Sequence, residues 1–178
     1  MIETNRLKLR AWLRSERTAL ANLLQHAPTM QHWPAPIDNA GVDAWLEKNV
    51  SQFEQLGYSR WCVELKVGDK ANFRPTIVGD VGVRRALVRG EMVEDLGYII
   101  HASHWGHGYG LEAAQAVVDW CRSHSHLLSQ PKLVATMAQD NVASASTAER
   151  LGMMQVDSFV NAQNRDKLSW YYELPLAH

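Results

Sequence analysis

The sequence predicts a mixed α/β domain of the α+β type, in which helices flank a mostly antiparallel sheet of about seven strands. Polar and apolar residues alternate in residues 6–12 and 61–66, as they do in half-buried strands. Apolar residues recur at helical spacing between residues 42 and 56, and Gly57 ends this pattern. A chain of 178 residues, with 46% hydrophobic and 21% charged residues, is predicted to form one domain over residues 1–178.

The first half of the chain is predicted to run strand, helix, loop, helix and strand. A short helix follows the strand over residues 6–12. It leads to a loop with three prolines, which disfavour regular structure because proline lacks a donor and restricts the residue before it. The amphipathic helix and the strand over residues 61–66 come next, and the composition of residues 68–72 predicts a turn.

The second half of the chain is predicted to begin with a hairpin whose turn lies at residues 88–91. Asn141 suits the N-cap of the last helix, and Gly152 suits its end. The predicted elements are strands at residues 76–84, 94–100, 132–137, 154–160 and 168–174, and helices at residues 108–124 and 141–151.

The stretch from residue 104 to residue 114 has the clearest chemical meaning. Gly106, Gly108 and Gly110 stand at every second position, and a helix-forming run follows at once. A backbone without Cβ atoms can turn sharply and lets a bulky group approach it closely. The first N–H groups of the helix lack intrahelical partners and lie at the positive end of its dipole. The sequence therefore predicts an anion site here, suited to phosphate or pyrophosphate.

Composition argues against several classes of protein. The formal net charge of −1 disfavours a nucleic-acid partner bound through a broad basic face. No apolar run approaches the length of a membrane span or a signal peptide, and Cys62 and Cys121 are too few for a disulfide framework. We therefore expect a cytoplasmic protein with no membrane partner. His101, His104 and His107 lie on a predicted loop where their spacing fixes no common face, so no metal site is predicted.

Two stretches, in this order, resemble the GNAT superfamily of acetyl-CoA-dependent N-acyltransferases. Residues 96–100 leading into Trp105-Gly106-His107-Gly108-Tyr109-Gly110 resemble the phosphate loop of that family. Asn141-Val142-Ala143-Ser144, running on to residues 149–153, is similar to its Asn-x-x-Ser helix. Residues 3–10 and the Trp-Gly-x-Gly-Tyr form resemble the ribosomal-protein N-α-acetyltransferase (Rim-type) branch. The resemblance implies a GNAT-like sheet that is splayed between the fourth and fifth predicted strands.

The resemblance also implies how acetyl-CoA binds as co-substrate. Backbone N–H groups of residues 107–110 would hold the pyrophosphate, while main-chain groups in the splay and Asn141 would contact the pantetheine arm. The implied cofactor-binding residues are Ile99, Ile100, Trp105, His107, Gly108, Tyr109, Gly110 and Asn141. Trp105 and His107 replace the Arg or Gln and the Lys that are common in the family, which leaves more of the anion binding to the backbone.

For catalysis, the resemblance implies direct attack by an amine on the acyl carbonyl. This reaction needs a neutral amine and a proton for the departing thiolate. Ser144 is the expected proton donor, because its family counterpart often fills this role and a hydroxyl can donate. Asp95 aligns with the Glu of the Rim-type Glu-Leu-Gly-Tyr pattern, and Glu94 stands next to it. Adjacent strand residues point to opposite faces, so only one of these two acids can face the cleft as the base.

The acceptor is left open between a protein N-terminal amine and a small-molecule amine. We expect it to bind among residues 26–37, the second helix and residues 161–166. A catalytically silent acyl-CoA-binding or protein-interaction domain on the same fold is the alternative function. A dinucleotide site is disfavoured, because Leu111 stands where a third glycine belongs. The protein is expected to be a monomer or a homodimer.

Overall fold

An eight-stranded sheet forms the centre of the computed structural model, which describes residues 1–66 and 76–176. The strands are β1 (Ile2–Glu3), β2 (Leu7–Arg10), β3 (Arg60–Leu65), β4 (Ile77–Val88), β5 (Glu91–Ile100), β6 (Lys132–Ala138), β7 (Met154–Asn161) and β8 (Lys167–Pro175). Their order in the sheet is β1-β2-β3-β4-β5-β6-β8-β7. Within the described residues, every neighbouring pair is antiparallel except β5 and β6. The predicted mixed, mostly antiparallel architecture is confirmed.

The helices of the described residues are α1 (Arg17–Leu24), α2 (Asn39–Leu56), α3 (Tyr109–Ser123) and α4 (Val142–Arg150). α2 begins where the Asp38 carboxylate accepts a hydrogen bond from the Gly41 N–H at 2.7 Å, and it ends at Gly57, whose φ is 79°. α4 begins at Asn141, whose side chain accepts from the Ser144 N–H. The predicted stop at Gly57 and cap at Asn141 are thus confirmed. None of these helices has both the length and the apolar character to cross a membrane.

The strands differ from the prediction in two places. β1 is an additional strand of two residues, too short to show an alternating pattern, and it pairs with β2 at the sheet edge. The β4–β5 hairpin is longer than predicted, but its turn lies where expected. Arg89 and Gly90 both have positive φ, at 54° and 86°, as a two-residue turn that follows the twist of the strands requires. The turn predicted at residues 68–72 lies outside the described residues.

The two faces of the sheet carry separate hydrophobic cores. α3 and α4 pack on one face, which we call the α3 face, against residues that include Leu96 and Ile100 of β5. α1 and α2 pack on the other, the α2 face, against residues that include Cys62 of β3 and Ile99 of β5. Successive side chains of a strand point to opposite faces, so each central strand contributes alternate residues to each core. The face on which a site residue lies therefore follows from its position in the strand.

β5 and β6 pair at a single position, Asp95 with Val134. Beyond this pair β5 runs on to Ile100 and β6 to Ala138, with no further pairing between these described strands. The two strands thus open into a gap, which we call the slot. The family resemblance implied a splay between these same two strands.

β3, β4 and β5 approach one another closely at Arg60, Gly82 and Gly97, which lie side by side in register. A Cβ on Gly82 would lie 2.4 Å from the Ser59 carbonyl oxygen and 2.6 Å from Arg60 Cα. A Cβ on Gly97 would lie 1.6 Å from Arg60 Nη2. The two glycines therefore leave the space in which the Arg60 side chain lies across the sheet on its α2 face.

We expect Gly82→Ala to lower the free energy of unfolding by roughly 1–3 kcal/mol, because the added methyl group meets main-chain atoms that cannot move aside. Gly110→Ala is the matched control, since its Cβ would meet Ile100 Cγ1 at an ordinary 3.5 Å and alanine favours a helix. Thermal unfolding followed by circular dichroism should show a lower Tm for Gly82→Ala and no loss for the control. Equal Tm values for the two variants would contradict this close packing.

Candidate active site

The glycine-rich loop, residues 105–110, leads from β5 into the first turn of α3. Gly106 and Gly108 have φ values of 79° and 78°, a region in which residues with a Cβ are strained. Gly108 is the N-cap of α3 and supplies no side-chain cap to the first N–H groups of the helix. The structure thus places an uncapped helix start, with its positive dipole end, at the predicted anion site.

Side chains of the glycine-rich loop brace it from within. The Trp105 indole N–H donates to the Ile100 carbonyl oxygen at 2.7 Å, and His107 Nδ1 lies 2.9 Å from the Trp105 carbonyl oxygen. The His107 ring stacks on the Tyr109 ring, with centroids 5.4 Å apart. These three aromatic residues therefore maintain the shape of the loop.

Arg6 brings a positive charge to the loop, where Trp105 and His107 replace the polar or cationic residues of the family. Arg6 Nη1 donates to the His107 carbonyl oxygen at 2.9 Å, and its guanidinium lies 4.7 Å from the centre of the Tyr109 ring. Glu112, in the first turn of α3, holds the guanidinium through an ion pair of 2.6 Å. Sequence reasoning missed Arg6, because it stands 101 residues before His107 and carries no local signal.

The alternation of hydrogen bonds along β5 decides which main-chain groups face the slot. The His101 N–H donates to the Val78 carbonyl oxygen at 2.8 Å, one residue beyond the last β4–β5 pair. Residues that exchange hydrogen bonds alternate with residues that do not, so Ile99 directs its N–H and C=O toward β4, while Tyr98 and Ile100 direct theirs into the slot. Ile100 thus directs its main-chain groups into the slot, and its contact with the cofactor stays a prediction. Ile99 is a correction, because its main-chain groups are used within the sheet.

Ser144 lies beside the slot on the α3 face, in the first turn of α4. Its N–H donates to Asn141 Oδ1 at 3.2 Å, and its carbonyl oxygen accepts from the Tyr98 hydroxyl at 2.7 Å. Because α4 follows β6 whereas Tyr98 belongs to β5, the bond to Tyr98 spans the slot. Burial raises the pKa of Tyr98 to about 12, so its hydroxyl stays protonated at neutral pH. Sequence reasoning treated Tyr98 only as part of a strand.

Glu94 is fully buried in the sheet, and this corrects its prediction as a candidate base. Its carboxylate accepts from the Tyr58 hydroxyl at 2.9 Å, from the Ser129 N–H at 2.9 Å and from the Ser129 hydroxyl at 2.7 Å. Arg85 Nε donates to it at 3.3 Å. A carboxylate that is shielded from solvent and surrounded by these donors cannot be reached by a substrate amine. Glu94 lies with Tyr58 on the α3 face and has a structural role.

Asp95 points to the α2 face, at the residue pair where the slot opens. Its side chain is 16% exposed, and Arg60 Nη2 lies 3.9 Å from its Oδ2. Burial raises the pKa of Asp95 above its ordinary value, against the opposing effects of Arg60, Arg84 and Lys48. Of the two candidate acids, Asp95 is therefore the one placed beside the opening.

Three basic residues surround Asp95 on the α2 face: Arg60 of β3, Arg84 of β4 and Lys48 of α2. The two guanidinium groups lie on the Trp45 ring, with Cζ atoms 5.2 Å (Arg60) and 4.6 Å (Arg84) from its centre. Sequence reasoning named none of the three. The available signal was the row of glycines opposite Arg60, which leaves room for a long side chain.

The segments expected to form the acceptor region contact one another in the structure. The Asn164 side-chain N–H donates to the His32 carbonyl oxygen at 3.0 Å, which joins the β7–β8 connection to the loop before α2. His32 Nδ1 also lies 3.4 Å from Asp140 Oδ1, beside the start of α4. These contacts bring the two loops together at the end of β6, where the slot is open.

A comparison with protein-family models matches residues 6–154 to the acetyltransferase (GNAT) domain. The chain belongs to the GNAT acetyltransferase family. The matched residues include the glycine-rich loop, the slot, Asp95 and Ser144, whereas the β7–β8 connection lies beyond the match. The predicted family and its acyltransferase class are thereby confirmed.

Two proteins of Bacillus subtilis (strain 168) are similar to this GNAT chain over most of their length. The uncharacterized protein YkkB is 28% identical over 151 residues, which are 84% of this chain and 83% of YkkB. The uncharacterized N-acetyltransferase YjdG is 26% identical over 180 residues, which are 97% of both chains. The similarity to YjdG thus extends over nearly the whole of both chains.

Solved structures share this GNAT fold at lower identity. A GNAT-family acetyltransferase from Bacillus anthracis has a TM-score of 0.77 at 20% identity and covers 98% of both chains. A spermidine N-acetyltransferase from Vibrio cholerae, solved with CoA and spermine, has a TM-score of 0.72 at 17% identity and covers 97% of both. The ribosomal L7/L12 α-N-protein acetyltransferase RimL, solved with CoA, has a TM-score of 0.69 at 15% identity, covering 97% of this chain and 95% of RimL. The Rim-type branch is therefore one of several structural neighbours.

Proposed function

We propose that this protein is an acetyl-CoA-dependent N-acetyltransferase that transfers an acetyl group directly to a primary amine, of a protein N-terminus or of a small molecule. The observation that carries the proposal is the slot, because it opens to both faces of the sheet and the residues on the two faces differ in chemistry. The start of α3 and Ser144 lie on the α3 face, and Asp95 lies on the α2 face. An acyl donor that enters from the first face and an amine that enters from the second would meet between β5 and β6.

The residues along the slot fit the parts of acetyl-CoA, whose thioester supplies the acyl group when it is bound. N–H groups of residues 107–110 suit the pyrophosphate, and Arg6 beside them suits a phosphate oxygen. The carbonyl oxygen of Ile100 already accepts from Trp105, so its N–H is the group left for the pantetheine arm, together with the Asn141 side chain. RimL and the spermidine N-acetyltransferase, both solved with CoA, support this choice of co-substrate.

The proposed acid and base lie on opposite faces of the slot. Asp95 takes a proton from the incoming ammonium group, so that the neutral amine attacks the acyl carbonyl. Ser144 donates its hydroxyl proton to the departing thiolate, beside the Tyr98 hydroxyl. The second proton of the attacking nitrogen, lost as the amide forms, restores the serine hydroxyl, and Asp95 releases its proton to solvent. This division suits a direct transfer, in which the amine arrives on one side of the carbonyl and the thiol leaves on the other. The Rim-type branch, with its protein N-terminal acceptor, stays a prediction.

We expect acetyl-CoA to raise the Tm of the protein, and Gly108→Ala to reduce this shift because a Cβ at positive φ reshapes the loop. Gly90→Ala is the control, since Gly90 also has a positive φ of 86° and no neighbour within 4 Å of its Cβ position. Both variants introduce a similar backbone strain, but Gly108 lies in the glycine-rich loop, whereas Gly90 lies in the β4–β5 turn. A thermal-shift assay that shows the same acetyl-CoA response for both variants would argue against the loop as the cofactor site.

Ser144→Ala should lower kcat by roughly 100-fold or more, because a general acid contributes about that much. Its affinity for acetyl-CoA should stay near the wild-type value, since the Asn141 cap and the loop remain. The assay is thiol release from acetyl-CoA with a panel of primary amines, beside calorimetric binding of acetyl-CoA. An unchanged kcat removes Ser144 from the mechanism. Wild-type protein that binds acetyl-CoA but releases no thiol with any amine would favour the silent acyl-CoA-binding alternative.

The pH dependence of kcat/KM should report Asp95. Its pKa is raised by burial, and the base acts only when deprotonated, so kcat/KM should rise with pH through a bend above the ordinary aspartate pKa of about 3.9. A second bend at higher pH belongs to the acceptor amine. Asp95→Asn should lose the lower bend and keep the upper one. A lower bend that persists in Asp95→Asn would assign the base to another group.

A further inference from the structure

The acceptor side of the slot carries positive charge that the proposed reaction does not use. We call Lys48, Arg60 and Arg84 the basic cluster. Two carboxylates, Asp80 and Asp95, lie against it, so three cations meet two anions and one positive charge remains. An amine that is itself a cation gains nothing from this surplus charge.

Asp80 is already satisfied by the protein. It is fully buried and accepts from Trp12 Nε1 at 2.8 Å, from Trp45 Nε1 at 3.1 Å and from Asn49 Nδ2 at 3.3 Å. Arg60 Nη1 lies 3.4 Å from its second oxygen. Asp80 therefore ties α2 to the sheet beneath the basic cluster, and it has little capacity to bind the remaining cations.

The guanidinium groups of the basic cluster keep donors without acceptors. Nε of Arg60 and Nε of Arg84 are buried, and neither has a hydrogen-bond partner among the described residues. The Arg60 side chain is only 5% exposed, and its 3.9 Å distance to Asp95 is too long for a hydrogen bond. Burial, with the neighbouring Arg60, lowers the pKa of Arg84 to about 10. Buried donors that lack protein acceptors are costly, so an anion bound beside these guanidinium groups would be stabilised.

We infer that the acceptor is a small amine that also carries a carboxylate or phosphate group, and that the basic cluster binds this anion while Asp95 receives the amine. The inference rests on the proposed function. Arg84 and Asp95 are directly paired across β4 and β5, so their Cβ atoms lie about 5 Å apart. A small molecule whose amine and anionic group are separated by a few bonds spans such a distance.

The chemistry of the basic cluster matches this substrate class. The planar guanidinium presents parallel donors that fit the oxygens of a carboxylate or a phosphate. Arg60 forms the buried floor, Arg84 is half-buried, and Lys48 is exposed on α2, so the positive charge extends from the floor to solvent. The three cations would repel a polycation, and among the described residues beside the cluster Asp95 is the carboxylate left to attract it.

Isothermal titration calorimetry of the CoA-saturated protein tests the inference without requiring turnover. The probes are amino acids and their carboxamides, phosphoethanolamine and ethanolamine, and spermidine as a polycation. We expect the anionic member of at least one pair to bind roughly tenfold or more tightly than its neutral partner and than spermidine. Tightest binding by a neutral amine or by spermidine would overturn the inference, and so would the absence of binding by every anionic amine.

Two variants locate the anion site. Arg84→Gln should weaken the preferred anionic amine by roughly 10- to 100-fold. Its neutral partner should lose much less, because that amine feels only the change in charge beside Asp95. Lys48→Gln should give a smaller loss of the same kind, and because Lys48 is exposed this variant carries no threat to folding. Arg122→Gln, on the exposed side of α3, is the matched control and should leave all affinities unchanged. Equal losses for the anionic and the neutral amine would contradict the assignment of these residues to the anion.

Thiol release from acetyl-CoA, measured with the same probes, separates this inference from the proposed function. A preference for anionic amines in calorimetry without thiol release would support the inference and overturn the proposed transferase. Thiol release with neutral amines and no preference for anions would support the transferase and overturn the inference.

Discussion

The two halves of the sheet are joined at one residue pair, Asp95 with Val134, and the arrangement of the site depends on this junction. β5 and β6 run parallel there, so the chain between them must cross from one end of the sheet to the other, and α3 makes this crossing. The carboxyl-terminal ends of both strands consequently lie at the same end of the sheet. The glycine-rich loop follows β5 and the first turn of α4 follows β6, which brings them together although they are far apart in sequence.

The alternation of side chains gives the two neighbouring acids of β5 opposite roles. Glu94 is bonded on the buried side to Tyr58 and to Ser129, and Ser129 lies just before β6. Glu94 therefore holds the entry of β6 against β5 and helps to fix where the slot begins. Asp95, one residue later, lies beside the opening with its nearest cation beyond hydrogen-bond distance. One acid stabilises the junction, and the other remains available to a ligand.

Local features of the site could be predicted from the sequence, because each depends on residues that are close along the chain. The positive φ of Gly108, the Asn141 cap of α4 and the turn at Arg89 and Gly90 follow from short-range geometry. The family resemblance added the splay of the sheet. The prediction of the strands missed β1, which is too short to have a pattern, and made the β4–β5 hairpin too short.

The remaining features depend on register and on distant contacts. The sequence leaves open which of Glu94 and Asp95 faces the slot, since either phase of a strand is possible until its neighbours are known. The Arg60 guanidinium lies beside Asp95 because Gly97, two strands away in register, leaves room for it. Such alignments are set by the pairing of whole strands, and a single sequence contains no local pattern that encodes them.

The contact between Arg6 and the glycine-rich loop means that this loop is not a transferable module. The loop takes one of its hydrogen bonds, its nearest cation and a partner for Tyr109 from a residue just before β2. Thr4 in the same segment donates to Glu112 in α3, so two residues of the N-terminal segment hold the start of that helix. Residues 105–110 grafted into another scaffold would keep their glycines and lose this support. Changes near the N-terminus, including an added tag, would therefore affect the glycine-rich loop before they affect the hydrophobic core.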